Sequence, residues 1–507
     1  MTRTNMSLSN IYNERYGTSV ATNGLFIAIG NPPSKNWDYS EGFGRIGEVI
    51  LVKKNNYINN YETVKSFKNS FSLSDIIPYY TEQSASSANT ASLILQSGSL
   101  PNVYTSCSFL TIENSNKFIY QSKYGESLDL CDYFLAVSDM SLSQSIYLNK
   151  FITKNTVNIY EINPNYTIDT TLNNIIVPSQ NISDNENLDN YTISDNPICI
   201  ITGSSNENFG KSISISNNYL VVGAPSALSN RGKVYVYKYS DSNCLYQLNS
   251  ILTSSLIVDP NQTSFGYSVC IDKDSESKLV VGSNQLFGGK VFLFESSSIG
   301  WRITQRFENL TGSKYLKIEG QLFELQPSGS LSAAQKNNQF GRSVSIHKNV
   351  LVIGSPTDLL YYDYSGSTEL RQRGAAYIYS NNQCATGSNQ YTFLTKTYGD
   401  EKTFKINLLG YSVSTYDQNV LIGSPKPYFP FGSLYISGSI NRFDKFFNLN
   451  DFGESTFDGQ ALLYKVTQSK LIQLTTDPIS KRKDYGTPYN AYGSSVSLSD
   501  TNLVIGA

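Results

Sequence analysis

The sequence is poor in the residue types that most catalytic and metal sites need. It has one histidine, His347, and its six cysteines include no Cys-x-x-Cys pair. Hydrolytic triads and zinc sites draw on these residue types, so the sequence supports neither. Cys131 and Cys270 lie in apolar, strand-like stretches, which favours small buried side chains over a disulfide or a reactive thiol. We therefore expect a protein that is not an enzyme.

Charge and long apolar runs are also scarce. Charged residues make up 16% of the chain and the formal net charge is −2, against roughly 25% charged residues in an average soluble protein. Such a chain has no electrostatic attraction for nucleic acid or for an anionic membrane. No run approaches the roughly 18 apolar residues of a membrane span. Residues 1–17 are polar and lack the apolar stretch of a signal peptide.

The abundant residues are those of strands and turns. The chain contains 37 Tyr, 35 Gly and 25 Phe in 507 residues, and aromatic and β-branched residues favour strands. A chain of this length ordinarily forms two to four domains, unless a repeat architecture accounts for it.

A repeat does recur along the whole chain. In the third copy an aromatic-glycine pair opens a strand of alternating polar and apolar residues, Phe209–Ile215. A short turn and an apolar strand ending in Gly-Ala-Pro, Tyr219–Pro225, follow, and then a third strand, Gly232–Tyr237. Seven copies open at Tyr16, Tyr124, Phe209, Phe265, Phe340, Leu409 and Tyr492, each followed by a structural glycine: Gly17, Gly125, Gly210, Gly266, Gly341, Gly410 and Gly493. One such sheet buries too little surface alone, and several arranged radially cover each other's faces.

The phased pairs, with the Gly-Ala-Pro and Gly-Ser-Pro ends of the second strands at residues 223–225, 354–356 and 423–425, resemble the FG-GAP repeat family, the β-propeller of integrin α-subunits. The resemblance implies an all-β fold over residues 1–507: one seven-bladed β-propeller of four-stranded antiparallel blades. The seventh copy contains only two strands, so its blade is expected to be incomplete, and we expect the natural chain to continue past Ala507.

Many FG-GAP units bind calcium between their first two strands. Here that link is usually a tight turn, and only the fourth copy has alternating acidic residues: Asp272, Asp274 and Glu276. They lack a following glycine and a final acidic ligand, so they offer few oxygens for calcium. We expect a solvated acidic turn and no cofactor, with calcium at these residues as the alternative. His347 lies in the same link of the fifth copy and is expected at the surface.

Strand direction alternates within a blade, so the links sort onto two faces. The links between strands 1 and 2 and between strands 3 and 4 are short and lie on one side, here called the turn face. The links between strands 2 and 3 and between blades lie on the other side, the loop face, and include the insertions at 69–123 and 173–208. Aromatic residues in long links are candidates for a protein interface, or else pack the loops onto the propeller. They are Trp37, Tyr39, Tyr361, Tyr362, Tyr364, Tyr428, Phe429 and Phe431.

These features predict a propeller for protein–protein interaction or adhesion. Low charge, polar loops and the lack of an export signal favour a structural or host-attachment component of a virus or phage particle, with particle proteins or a host surface receptor as partners. One alternative is a secreted or cell-surface, integrin-like adhesion protein. Another is the accessory propeller of a larger enzyme whose catalytic domain lies elsewhere. Fold alone does not decide among them.

Overall fold

The structure of the chain is a computed structural model. It describes residues 17–32, 47–55, 60–68, 118–121, 123–140, 142–145, 150–153, 155–164, 191–204, 206–240, 245–253, 264–284, 289–308, 315–318, 321–324, 339–364, 367–372, 374–381, 390–398, 408–425, 459–467, 470–474 and 492–506. Apart from one short helical turn at Ala227–Asn230, the regular structure of these residues is β-strand.

The strands of the first half, in chain order, are β1 (Ser19–Thr22), β2 (Phe26–Asn31), β3 (Glu48–Asn55), β4 (Asn60–Lys68), β5 (Phe118–Gln121), β6 (Tyr124–Leu130), β7 (Phe134–Asp139), β8 (Leu142–Ser145), β9 (Lys150–Thr153), β10 (Thr156–Pro164), β11 (Tyr191–Ile193), β12 (Cys199–Thr202), β13 (Ser212–Ile215), β14 (Tyr219–Ala224), β15 (Lys233–Ser240) and β16 (Leu245–Thr253). Those of the second half are β17 (Phe265–Ile271), β18 (Lys278–Ser283), β19 (Lys290–Ser297), β20 (Gly300–Glu308), β21 (Tyr315–Ile318), β22 (Gln321–Glu324), β23 (Ser343–His347), β24 (Val350–Ser355), β25 (Leu359–Tyr364), β26 (Ser367–Gln372), β27 (Ala375–Ser380), β28 (Thr392–Tyr398), β29 (Ser412–Tyr416), β30 (Asn419–Pro425), β31 (Gly459–Val466), β32 (Leu471–Gln473), β33 (Val496–Leu498) and β34 (Leu503–Ile505).

Each of the first six repeat copies forms one antiparallel blade. Their strand orders are β1-β2-β3-β4, β6-β7-β10-β11, β13-β14-β15-β16, β17-β18-β19-β20, β23-β24-β27-β28 and β29-β30-β31-β32. In the second blade the outer position is shared, since β11 and β12 both pair with β10. The predicted insertion at 173–208 therefore contains the outer strands of this blade, and residues 165–190 connect its third and fourth strands, where a short link was expected. The predicted all-β propeller of four-stranded antiparallel blades is therefore confirmed.

The predicted count of seven blades is wrong: the described residues form six. The seventh repeat copy forms a two-stranded sheet of β33 and β34, because only these two strands follow Tyr492. This hairpin still lies between the sixth and the first blade. It contacts the first blade through hydrogen bonds from Ser495 to the Gly17 carbonyl and from the Thr22 amide to Ser497. The hairpin thus closes the ring.

The core is divided into layers between neighbouring blades. Between blades four and five, Val291 and Phe307 pack with the opening aromatic residue Phe340 and with Ile346 and Leu351. Phe340 has no exposed surface, as is also true of Phe209 and Phe265 in their copies. The aromatic residue of these three opening pairs therefore fills the layer between blades, which is how separate sheets cover each other's apolar faces.

A first belt of hydrogen bonds joins the innermost strands. The second residue after each opening glycine is a serine in all seven copies. In six copies its hydroxyl donates to the carbonyl of the opening glycine of the next copy, at 2.5 to 2.9 Å: Ser19, Ser212, Ser268, Ser343, Ser412 and Ser495. Ser127 of the second copy makes no such bond to the described residues.

A second belt lies two residues further along the same strands. There a side chain accepts a hydrogen bond from a backbone amide of the next copy, at 2.8 to 3.4 Å. The six pairs are Asp129 with Ile215, Ser214 with Ile271, Cys270 with Ile346, Ser345 with Thr415, Ser414 with Leu498 and Ser497 with Thr22. In the first copy this position is Ala21, which has no acceptor, so the amide of Leu130 bonds to Asp129 of its own copy. The two belts fix the spacing of the first strands of neighbouring copies, which are the inner strands that surround the central channel of a propeller.

The glycine that ends each second strand allows this close approach. A Cβ at Gly354 would meet the carbonyl oxygen of Gly410 and the hydroxyl of Ser343. In the second copy this position is Ser138, whose hydroxyl accepts from the amide of Ser127 at 3.0 Å. The seam between the second and third blades is therefore built differently from the others.

Candidate functional site

Additional strands form outside the blades, in links that lie on the loop face. Strand β5, in the link before the second blade, pairs with β8 of that blade's β8–β9 hairpin, which connects its second and third strands. In the same way β21, in the link before the fifth blade, pairs with β25 of the β25–β26 hairpin. Links between blades and links between strands 2 and 3 thus meet in shared sheets on the loop face.

Three of the aromatic residues predicted for an interface fall on these links. Tyr361, Tyr362 and Tyr364 lie in β25, at register positions opposite Leu370, Glu369 and Ser367. Trp37, Tyr39, Tyr428, Phe429 and Phe431 lie outside the described residues.

The seven opening glycines all adopt positive φ angles, between 79° and 91°. These conformations favour glycine over any residue with a Cβ.

The residue that follows each opening glycine lies where the inner strand starts, at the loop-face end of the channel. In five consecutive copies these residues contact one another in sequence around the channel. Lys211 forms an ion pair with Glu126 at 3.1 Å and lies over the ring of Tyr267. Arg342 lies between Tyr267 and Tyr411. We call this set, Glu126, Lys211, Tyr267, Arg342 and Tyr411, the mouth arc.

Arg342 is the central cation of the mouth arc. Its guanidinium donates hydrogen bonds to the hydroxyls of Tyr267 and Tyr411, the latter at 2.9 Å, and lies 5.2 and 4.6 Å from the two ring centroids. Burial acts to lower the pKa of Arg342, but the two phenol oxygens outweigh it and the pKa is raised. Burial likewise opposes the charge of Lys211, and Glu126 outweighs it, so that pKa is also raised. Both side chains stay cationic.

The other end of the channel contains an ion pair between distant copies. Lys273, in the turn after β17, donates at 2.7 Å both to the Asp129 carboxylate and to the Leu130 carbonyl. It thus passes the third blade to reach the second. Burial acts to lower the pKa of Lys273, but the charge of Asp129 and its hydrogen bond raise it above the ordinary value. The pair ties the second, third and fourth copies together, since Asp129 also accepts from Ser214.

A cavity of about 400 Å³ lies on the turn face between the fifth and sixth blades. Lys348 and Asp417, paired at 2.7 Å, are among its lining residues. His347 lies beside them, and the prediction that it is a surface residue is wrong: it is 8% exposed. Its ring lies 4.6 Å from that of Tyr416, and its Nδ1 accepts a hydrogen bond from the Asp417 amide at 3.0 Å. Burial lowers the pKa of His347. The charge of Asp272 acts to raise this pKa and the charge of Lys348 acts to lower it, and the net shift is downward.

The acidic turn of the fourth copy is organised by hydrogen bonds within the turn, and the prediction that it is solvated is wrong for Asp272, which is buried. Asp272 is 1% exposed and accepts from the Ser275 hydroxyl at 2.8 Å and from the Asp274 amide at 3.3 Å. Glu276 is directed to the third blade, where it accepts from the Asn218 amide at 3.0 Å. Across the described ranges, no three His, Cys, Asp or Glu side chains are grouped as metal ligands would be. These residues act as turn and inter-blade acceptors in this structure.

A buried ion pair lies below the β25–β26 hairpin, and it has no counterpart in the sequence predictions. Asp358, 1% exposed, pairs with Lys396 at 3.0 Å and accepts from the Tyr377 hydroxyl at 2.6 Å. The Asp358 carbonyl also accepts from the Gly374 amide, which joins the two ends of the hairpin. Lys396 lies 4.6 Å from the ring centroids of both Tyr377 and Tyr398. This network fixes the base of the hairpin to the blade.

Comparison with known proteins agrees with the repeat. The FG-GAP repeat family model matches residues 202–237, which contain the opening pair and the Gly-Ala-Pro end of the third copy. The predicted resemblance is thereby confirmed for that copy. No curated protein sequence matches the chain. Among solved structures, that of the Dos1 propeller is 9% identical, with a TM-score of 0.37, over 97% of this chain and 90% of the other. Within the described residues, no helix has the length and apolarity to span a bilayer.

Proposed function

On the premise of an FG-GAP-type β-propeller, we propose that this chain is a non-enzymatic interaction module that binds other proteins through its loop face. The observation that carries the proposal is the additional sheet structure on the loop face. Strands β5, β8 and β9 form one additional sheet, and β21, β22, β25 and β26 form another, in links of the loop face. Elaborated loops on a rigid scaffold are where binding residues usually lie.

The proposal that the chain is not an enzyme is supported by the state of its nucleophile and base candidates. His347 is buried, and its Nδ1 accepts from the Asp417 amide. Burial raises the pKa of the Cys131 thiol to about 12 and that of Cys270 to about 11. Few of these thiols are thiolates at neutral pH, and the thiolate is the nucleophile.

For the biological setting we propose a structural or host-attachment component of a virus or phage particle. Low charge and polar loops support it by composition. The secreted or cell-surface alternative predicts glycans at Asn165 or Asn309, which lie in Asn-x-Thr sequences outside the described residues. The accessory-propeller alternative predicts a chain that continues into a catalytic domain.

Crosslinking mass spectrometry on the native source tests the setting and the face together. We expect lysines in the links of the loop face, such as Lys426 and Lys483, to crosslink to particle proteins. Lys348 and Lys470, in turns on the opposite face, serve as the matched controls and should give few such crosslinks. Crosslinks concentrated at the control lysines would contradict the loop-face role. A glycosylated chain without particle partners would favour the cell-surface alternative.

A further inference from the structure

Arg342 differs in its partners from five lysines of the blades and their turns. Five lysines each have a carboxylate within 3.1 Å, in the pairs Lys211–Glu126, Lys233–Glu207, Lys273–Asp129, Lys348–Asp417 and Lys396–Asp358. The side-chain partners of Arg342 among the described residues are the two phenols of Tyr267 and Tyr411. Cations taken out of bulk water are normally paired with an anion, because the desolvation of an unpaired charge is costly.

The mouth arc also keeps hydrogen-bond donors for a further partner. A guanidinium carries five N–H donors, and Arg342 uses one on each tyrosine. Both phenol oxygens accept from Arg342, so each phenol retains its own O–H proton to donate. These N–H and O–H donors belong to three neighbouring copies, and the hydrogen bonds of Arg342 to both phenols hold them together at the loop-face end of the inner strands. Planar guanidinium donors match the two oxygens of a carboxylate.

We propose that the loop-face mouth of the channel is a carboxylate-binding site, in which Arg342 is the ion-pair partner and Tyr267 and Tyr411 are additional donors. Charge favours a monoanion. Arg342 and Lys211 contribute two positive charges to the mouth arc and Glu126 one negative charge, so one further negative charge balances it. A phosphate dianion would exceed that balance.

The position of the site indicates where the carboxylate comes from. The mouth opens on the face that carries the extra sheets, so an aspartate or glutamate side chain of a protein bound to that face would reach it. Only this choice of source rests on the proposed function. The carboxylate site itself is a property of the mouth arc, and its test needs no natural partner.

Binding to the full chain can be measured by thermal unfolding at constant ionic strength. Sodium acetate, sodium phosphate and sodium chloride are compared, together with a blocked tripeptide that has a central glutamate and its glutamine counterpart. A ligand that binds the folded state alone raises Tm with its concentration. We expect a saturable rise with acetate and with the glutamate peptide, larger than with phosphate, and none with the glutamine peptide.

Variants of Arg342 test whether acetate binds at the loop-face mouth of the channel. Arg342→Gln should weaken acetate binding by at least about tenfold, as expected for the loss of a bidentate charged contact. Arg342→Lys keeps the charge and serves if the glutamine variant does not fold; it should bind more weakly than wild type because an ammonium lacks the planar pair of donors. Arg306→Gln is the control, since Arg306 lies on the outer strand β20 beside Glu308 and away from the channel.

Three results would overturn the proposal: no saturable acetate effect in wild type, undiminished acetate binding in both Arg342 variants, or tighter binding of phosphate than of acetate. Acetate binding without glutamate-peptide binding would refute the protein side chain as the source. The crosslinking experiment can fail while this site is present, and the reverse, so the two proposals are separable.

Discussion

The opening glycines provide a test of how closely neighbouring blades approach. Gly410 and Gly210 occupy the same repeat position, with similar φ angles of 82° and 91°. Their surroundings differ. A Cβ at Gly410 would collide with the carbonyl oxygen of Ala375, whereas at Gly210 the nearest atom is the Cβ of Ser138, at 3.2 Å. Alanine at the two positions therefore shares the backbone strain but differs in the steric clash.

The expected magnitudes follow from these two terms. A side chain in the left-handed region costs about 1–2 kcal/mol, and we expect this cost alone for Gly210→Ala. A forced clash in a packed region adds typically about 1–3 kcal/mol. Gly410→Ala should therefore lower the free energy of unfolding by about 2–5 kcal/mol, with a difference between the variants of about 1–3 kcal/mol.

Urea unfolding followed by circular dichroism measures the difference. We expect both variants to unfold at lower urea than wild type, with Gly410→Ala the lower and with similar slopes. Equal losses would show that φ strain alone sets the cost and that the blades have room for a methyl group. A larger loss in Gly210→Ala would refute the inference, drawn from these distances, that a methyl group is easier to place at Gly210 beside Ser138 than at Gly410.

Three further predictions concern buried ionisable groups. Asp358→Ala leaves the Lys396 ammonium buried without its carboxylate and should cost about 3–5 kcal/mol in urea unfolding, more than Asp358→Asn, which keeps a polar partner. The pKa of His347 is lowered in the folded chain, so the unfolded chain binds more protons and stability should fall as pH drops below about 6.5. Because His347 is the one histidine of the sequence, His347→Gln should remove this dependence of stability on pH. An unchanged dependence in the variant would refute the assignment to His347. The pKa of the Cys131 thiol is raised to about 12, so this thiol should resist iodoacetamide in the folded chain and react in urea. Peptide mass spectrometry measures the labelling, and rapid labelling of the native chain would contradict the burial of Cys131.

The sequence predicted the features that repeat and missed those that join one copy to the next. The opening glycines and the blade strands are readable because their cause is local: a φ angle and a period-two pattern. The serine two residues after each opening glycine is also visible in all seven copies, but its partner, such as Gly410 for Ser343, lies in the next copy. No local pattern reveals that bond.

The mouth arc was missed for the opposite reason. Arg342 and Tyr411 follow their opening glycines at a position that differs from copy to copy, and a search for shared residues passes over it. Reading that variable position across the seven copies is the signal that would have found the arc. His347 was misplaced because its turn lies against Tyr416 and Asp417 of the next blade, a packing that a tight turn in the sequence does not show.

The hairpin that closes the ring has a consequence for the order of folding. Ser212 bonds to Gly266 across 54 residues, and Ser495 makes the same bond to Gly17 across 478. The entropic cost of joining two chain segments rises with the logarithm of the number of residues between them, so the longer closure costs about 2 kcal/mol more. Because an identical contact is harder to form there, assembly should proceed from blade to neighbouring blade and finish at this seam. Under tension or in mild denaturant the same seam should be the first to part.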